Sequence, residues 1–267
     1  MDGRARDDIT RGLRPRPSLR FIPVWRRNVR VWRKLMVPSI LGNFGEPLLY
    51  LLALGYGFGR LVGEVNGLPY MVFLASGIVC SSAMTTASFE AMYSAYTRFS
   101  QQQTWTAMLG APLTVDDIVL GEVAWGATKA LMSATAILVV ASLLGLVADA
   151  RAVLALPVVL LTGFCFAAMA MVVTALARSY DFFLYYFTLV ITPMLLLSGV
   201  FFPLEALPQA VVAGAWCLPL AHAVALVRPL VIGEWPGLVL VHLGVIAVYA
   251  LAGLSLATWL LRRRIMN

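Results

Sequence analysis

Long charge-free stretches dominate the hydrophobic pattern. Residues 65–89, 130–148, 152–177, 182–204, 206–227 and 235–261 contain no Asp, Glu, Lys or Arg, and 35–59 is interrupted only by Glu46. An α-helix rises about 1.5 Å per residue, so roughly 20 apolar residues cover a hydrocarbon core of about 30 Å. Lipid offers no hydrogen bonds to a backbone, so segments of this kind should be helices. The pattern predicts an all-α membrane protein with six transmembrane helices, near 36–58, 68–92, 118–147, 153–177, 182–202 and 238–261. Segment 206–227 is also uncharged, but it contains Pro208 and Pro219, and Pro203 lies just before it. Internal prolines break helical hydrogen bonding. A re-entrant helical hairpin over 203–230, before the last span, fits better than a seventh crossing.

A different periodicity precedes the first span. Phe21, Trp25, Val29 and Trp32, continued by Met36, share one helical stripe, with Arg26, Arg27, Arg30, Arg33 and Lys34 opposite. This predicts an amphipathic helix over 19–34 lying in the membrane interface, its cations near anionic headgroups. Residues 1–18, rich in Arg and Pro, read as a flexible cytoplasmic tail. No apolar core of signal-peptide type precedes residue 35, and Asp2, Asp7 and Asp8 argue against a transit peptide. Residues 35–267 form the transmembrane domain.

Composition agrees with the pattern. Hydrophobic residues make up 61% of the 267 and charged residues 12%, against roughly 45–50% and about 25% in soluble domains. The charge distribution adds orientation. With six spans and an inside amino terminus, sixteen of the twenty Lys and Arg lie on the inner side and three, Arg60, Arg151 and Arg228, on the outer side. That is the positive-inside bias, with both termini cytoplasmic. A seventh span would place Arg262, Arg263 and Arg264 outside.

Few polar residues remain to carry chemistry. The only lysines, Lys34 and Lys129, do not follow glycine, so the chain holds no Walker-type phosphate loop. ATP, if it drives this protein, is bound with Mg by a partner, and the chain itself binds no cofactor. No HExxH, nucleophile elbow or paired-cysteine motif occurs. Cys80, Cys165 and Cys217 read as small packing residues, and His222 and His242, the only histidines, imply no metal site. Arginines this close to a span do not indicate a nucleic-acid partner.

Charge within or bordering the spans is more informative: Glu46, Glu90, Glu122 and Lys129. Such charge is costly in lipid and usually faces protein or water. Glu122 and Lys129, seven apart, share a helical face but are too distant for an ordinary direct pair, so either can pair with a neighbouring helix, for instance at Glu46, and Lys129 is expected to meet a carboxylate there. Structural pairing, headgroup contact and passage of a polar substrate all fit. Tyr180, Phe182, Phe183, Tyr185, Tyr186 and Phe187 open the fifth span as either an interfacial belt or a stacking surface for sugar rings along a substrate path. Between the second and third spans, Arg98–Leu109 can form a short cytoplasmic helix, ended by Gly110 and Pro112, before Asp116 and Asp117 open the next helix. A polar-aromatic helix bracketed by two spans is well placed to receive force from a soluble subunit.

Several segments resemble a known family: WRRN (25–28), LLGNFGEPLLYL (41–52), FEAMYSAY (89–96), DIVLGEVAWGATKA (117–130), MVVTALARSYDFF (171–183), TLVITPMLLLSGVFFPLEALP (188–208), LPLAHAVALVRP (218–229) and LLRRRIM (260–266). The chain resembles the permease subunits of type-2 ABC exporters, and within them the NodJ branch of nodulation-factor export permeases. The resemblance implies a permease of the bacterial inner membrane that pairs with a second copy of itself. It sits on two copies of a NodI-like ATP-binding subunit and exports a lipo-oligosaccharide or other lipid-linked glycan. It places ATPase coupling at Arg98, Gln101, Gln102, Gln103, Trp105 and Leu109. It makes 203–230 the outer gate, with Pro203, Pro208, Pro219, His222 and Arg228 as its residues. Membrane lipids and the amphiphilic cargo are the other expected partners. Drug efflux by the same architecture is the alternative. A secondary transporter would carry internal repeats and coupling-ion residues.

Overall fold

The computed structural model describes residues 18–34 and 36–266, without the side chains of 37–44, 46, 47 and 266. The expected tail, apart from Ser18, and the side chain of Glu46 therefore lie outside the described residues. The chain is almost entirely helical: α1 Phe21–Lys34, α2 Met36–Val62, α3 Tyr70–Gln101, α4 Thr104–Leu109, α5 Val115–Leu143, α6 Ala155–Leu176, α7 Asp181–Leu197, α8 Gln209–Ala215, α9 Pro219–Val231 and α10 Val239–Met266. Between α2 and α3, strands β1 Glu64–Val65 and β2 Leu68–Pro69 pair antiparallel. Their two-residue turn is Asn66-Gly67, both with positive φ, the conformation that this hairpin turn demands.

Among the described residues, four helical stretches are long and apolar enough to cross a membrane: Tyr70–Gln101, Val115–Leu143, Ala150–Leu176 and Val239–Ile265. A fifth arises if α8 and α9, which meet at 87°, count as one bent segment. The other two expected spans coincide with shorter apolar helices, Leu48–Val62 within α2 and Asp181–Leu197. This is an all-α, multi-pass architecture with α3, the most enclosed of the four, at its centre. Helix α3 packs on α5 and α6, α10 lies along α6, and α9 sits against α3, α6 and α10. Close approach uses small residues, as is usual where helices meet in lipid. A Cβ on Gly163 would lie 2.6 Å from Ala130 Cβ, and one on Gly121 the same distance from Val24 Cβ.

Pro208 and Pro219 act where helices begin, whereas Pro229 lies inside α9. Pro208 immediately precedes α8 and Pro219 is the first residue of α9, positions where a missing N–H leaves no hydrogen bond unmade. Pro203 stands ahead of a short 3-10 turn, Leu204–Ala206. The broken segment anticipated over 203–230 is thus two short helices with a sharp bend. Helix α5 opens on a capping box: the Thr114 hydroxyl accepts from the Asp117 N–H, and the Asp117 carboxylate accepts from the Thr114 N–H at 2.9 Å.

Other expectations need correction. Val24 and Asn28 are the buried residues of α1, with Phe21, Trp25, Val29 and Trp32 of the expected stripe half-buried beside them, because α1 is docked on α5 instead of being covered by lipid alone. Trp25 Nε1 donates to Thr128 Oγ1 at 2.9 Å across that contact. Trp25→Phe should cost about 1 kcal/mol, measured by thermal unfolding of the purified chain in detergent. In α2, Gly55 faces Met71 and no described residue lies within 4 Å of a Cβ built on Gly59, while Gly63 has φ +70 just past the helix. Cys80 and Cys165 are buried packing residues as expected, but Cys217 is exposed.

Candidate functional site

Four of the helices converge on a buried charge cluster. Glu122, Trp125 and Lys129 lie three and four residues apart on α5, so they line one face. Glu90 and Arg98 are eight apart on α3, which in an unbroken α-helix leaves them about 80° out of register. The wider turn at Glu90–Ser94 changes that, since it absorbs about one extra residue before Arg98 and rotates the helix beyond it. Arg98 is thereby returned to the face of Glu90.

The resulting network is closely bonded. Arg98 Nη2 donates to Glu90 Oε1 at 3.0 Å and to Glu122 Oε2 at 2.5 Å, and Arg98 Nε donates to Glu122 Oε1 at 3.0 Å. Lys129 Nζ lies 2.9 Å from Glu90 Oε2. Trp125 Nε1 donates to Glu90 at 2.9 Å, Trp105 Nε1 to Glu122 at 3.3 Å, and Asn28 Nδ2 to Glu122 at 3.0 Å. Two cations and two carboxylates balance, and every carboxylate oxygen has a donor. Burying such charges is tolerable only on those terms. The network joins α1 through Asn28, α3 through Glu90 and Arg98, α4 through Trp105, and α5 through Glu122 and Lys129. A cavity of about 350 Å³ opens beside it, between α1, α3 and α5.

This geometry relocates several candidate residues. Lys129 does find a carboxylate on another helix, and it is Glu90. Arg98 and Trp105, assigned to a surface coupling helix over 98–109, are turned inward: Trp105 is fully buried, and Arg98 belongs to α3. The helix breaks at Gln103, whose φ is +51, because α3 runs on to Gln101 and only Thr104–Leu109 forms the short element. Gln101, Gln102 and Gln103 are exposed at that break, and Leu109 is half-buried. The aromatic group also divides. Phe183 is buried against Tyr93 and Tyr96, and Tyr180 bonds Thr97 Oγ1 at 2.8 Å, so these two pack helices together. Tyr186 and Phe187 are half-buried, whereas Phe182 and Tyr185 remain exposed.

Three features carry little or no mark in the sequence. Asn28 is hidden by the arginines around it. Trp125 has a usable signal, its spacing from Glu122 and Lys129. The buried pair of Arg262 with Asp116 ties the end of α10 to the start of α5; both residues look like ordinary end-of-helix charge.

At the opposite end, the bent α8–α9 pair is latched to the bundle. Arg228 Nη2 donates to Gly199 O at 2.6 Å and Arg228 Nε to Ser76 Oγ at 3.0 Å, with the guanidinium 3.7 Å from the Phe73 ring centre. His222 and His242 are far from isolated: their Nδ1 atoms lie 2.7 Å apart, and His222 Nε2 is 2.8 Å from Trp216 O. Only one nitrogen of the Nδ1 pair can donate, so the contact joins α9 to α10 by a single shared proton.

Comparison with known proteins defines the class. The model of the family "ABC-2 type transporter" matches residues 21–232. Nodulation protein J of Rhizobium leguminosarum bv. viciae is 49% identical over 95% of this chain and 98% of its own length. Nodulation protein J of Bradyrhizobium diazoefficiens is 42% identical over 98% of this chain and all of its own. The inner membrane transport permease YadH of Escherichia coli is 29% identical over 68% of this chain and 69% of its own length. The chain belongs to the ABC-2 type transporter family. It is a multi-pass membrane transport subunit, and membership implies a separate ABC ATP-binding partner.

Proposed function

We propose that this chain is the permease of an ATP-driven exporter that moves a lipo-oligosaccharide, or another lipid-linked glycan, out across a bacterial inner membrane. Two copies would stand on two copies of a NodI-like ATP-binding subunit, which supplies ATP and Mg. The cargo class is supported by near full-length similarity to proteins named nodulation protein J. The location is supported by the name of the Escherichia coli relative. Six crossings with both termini inside are favoured by the sixteen-to-three distribution of Lys and Arg. On that topology α8 and α9 dip into the membrane from outside and return, closing the outer end through Arg228 and the His222–His242 contact.

The observation that carries the mechanism is the path from α4 into the charge cluster. Helix α4 presents Thr106 and Ala107 outward while Trp105 holds Glu122 beneath. A partner pressing on α4 therefore displaces a side chain bonded to the carboxylate that fixes Arg98, and with it α1, α3 and α5. Coupling residues are then Gln101, Gln102, Gln103 and Leu109 at the contact, with Arg98 and Trp105 transmitting behind it. Cysteine at Gln102 or Thr106 should cross-link to the ATP-binding subunit in the assembled complex, and cysteine at Leu144, at the other end of α5, should not. Absence of the first cross-link in a complex of demonstrated assembly would overturn this assignment.

A further inference from the structure

The cavity beside the charge cluster has a chemistry that the coupling role leaves unused. Its walls carry Arg27, Arg98 and Lys129 but only one carboxylate, Glu90. The oxygens of Glu90 and of Glu122 behind it are already occupied by Arg98, Lys129, Asn28, Trp105 and Trp125. Donors, by contrast, are left over. Among the described hydrogen bonds the Lys129 ammonium gives one of its three, to Glu90, and the Nη1 atom of Arg98 gives none. Among the described residues Arg27 bonds only its neighbour Asn28, at 3.0 Å. Burial first, and the nearby Arg98 charge second, push the Arg27 guanidinium below its ordinary value, against a smaller opposing pull from Glu122. Asn28, Ser94, Thr97 and Gln102 also line the cavity, but its surplus is of donors and of positive charge, which an anion answers and a neutral sugar does not.

We infer that this cavity binds the phosphate of an anionic phospholipid, held by Arg27, Arg98 and Lys129. Phosphate matches paired guanidinium and ammonium donors through charge-assisted hydrogen bonds. A lipid is favoured over a free anion by what surrounds the donors. Val31, which lines the cavity, is exposed, and Trp32 and Trp125 form an apolar wall with their rings edge to face at 6.1 Å. The outer face of α1 carries exposed Arg26, Arg30, Arg33 and Lys34, a surface suited to anionic headgroups. The phosphate would enter the cavity while the glycerol and acyl chains leave past Val31. A bound lipid would brace α1 against α3 and α5 and make the stability of the cluster depend on the membrane's anionic content. The inference rests on the membrane setting proposed above and is independent of the cargo.

The test is native mass spectrometry of the purified full-length chain in detergent, titrated with phosphatidylglycerol or phosphatidylcholine. One phosphatidylglycerol per chain should be retained. Losing one charge-assisted contact should weaken retention about tenfold in Arg27→Gln, and Lys129→Gln should do likewise. Arg26→Gln, outside the cavity, should retain lipid as the native chain does. Arg27→Gln breaks no bond between helices, so thermal unfolding near the native value confirms that its effect is on binding. Equal retention by the native chain, Arg27→Gln and Arg26→Gln would overturn the proposal. Displacement of the lipid by inorganic phosphate would reassign the site to a soluble anion. Displacement by a neutral chito-oligosaccharide would reassign it to the glycan.

Discussion

Replacing Glu122 by leucine is expected to destabilise the protein by about 3–5 kcal/mol, the cost of stranding a buried charge. Glu122 is buried and accepts from Arg98 twice, from Asn28 and from Trp105. Its loss leaves Arg98 and Lys129 sharing Glu90 alone, one positive charge in excess. Arg98→Met should cost a similar amount, since it removes the guanidinium bonded to both buried carboxylates. The double variant differs, because Lys129 and Glu90 then remain as a balanced pair at 2.9 Å. Its destabilisation should fall well short of the two single effects added together. Unfolding by increasing denaturing detergent in mixed micelles measures all three. Strict additivity would show that Arg98 and Glu122 do not act as one unit and would remove the physical basis for transmission from α4. Transport in the double variant should remain poor despite its recovered stability, because Trp105 and Asn28 have lost the acceptor that bound them to α5.

The helices are legible in the sequence because lipid imposes a severe constraint: charge-free stretches of adequate length have few alternatives. Thus α5, α6 and α10 fall close to their expected places, and the prolines mark the break at α8–α9. The rest depends on backbone detail that charge counting ignores. The hairpin before α3 is written in Asn66-Gly67, but that pair lies inside a stretch notable mainly for its lack of charge. The second span is expected to end at residue 92, whereas α3 continues to Gln101, with Arg98 near its end bonded to Glu90 and Glu122. The charge cluster itself is half visible. Glu90, Glu122 and Lys129 stand out as intramembrane charge, but which helix supplies the partner is a tertiary fact. Positive-inside logic sends Arg98 to the surface, because it counts a cation without knowing which carboxylates lie within reach. The docking of α1 is obscured because its amphipathic stripe suits a lipid surface and a protein groove equally well; Gly121, which lets Val24 approach, is the residue that decides between them.

Enlarging Gly77 should release the other end of the molecule. A Cβ at this position of α3 would stand 2.5 Å from the carbonyl oxygen and 2.9 Å from the Cα of Val200, both backbone atoms that cannot rotate away. The segment Ser198–Val200 is held there from two sides, by α3 and by Arg228, which donates to Gly199 O and rests on Phe73. Gly199 is itself at φ +74, a conformation that favours glycine, so the segment has little freedom to accommodate a push. Overpacking against backbone lies at the upper end of its usual range, about 3 kcal/mol for Gly77→Leu. A shift of that size changes an opening equilibrium by roughly a hundredfold. Ser198, fully buried, is the reporter. As cysteine it should resist a membrane-impermeant maleimide applied to the outer face, and in combination with Gly77→Leu it should label about a hundredfold faster, with Gly77→Ala between them. Protection of the reporter in a folded Gly77→Leu protein would mean that Ser198–Val200 moves together with α3, and the latch formed by Arg228 would then have no gate to hold. Labelling only from the inner face would instead reverse the orientation on which the outer gate depends.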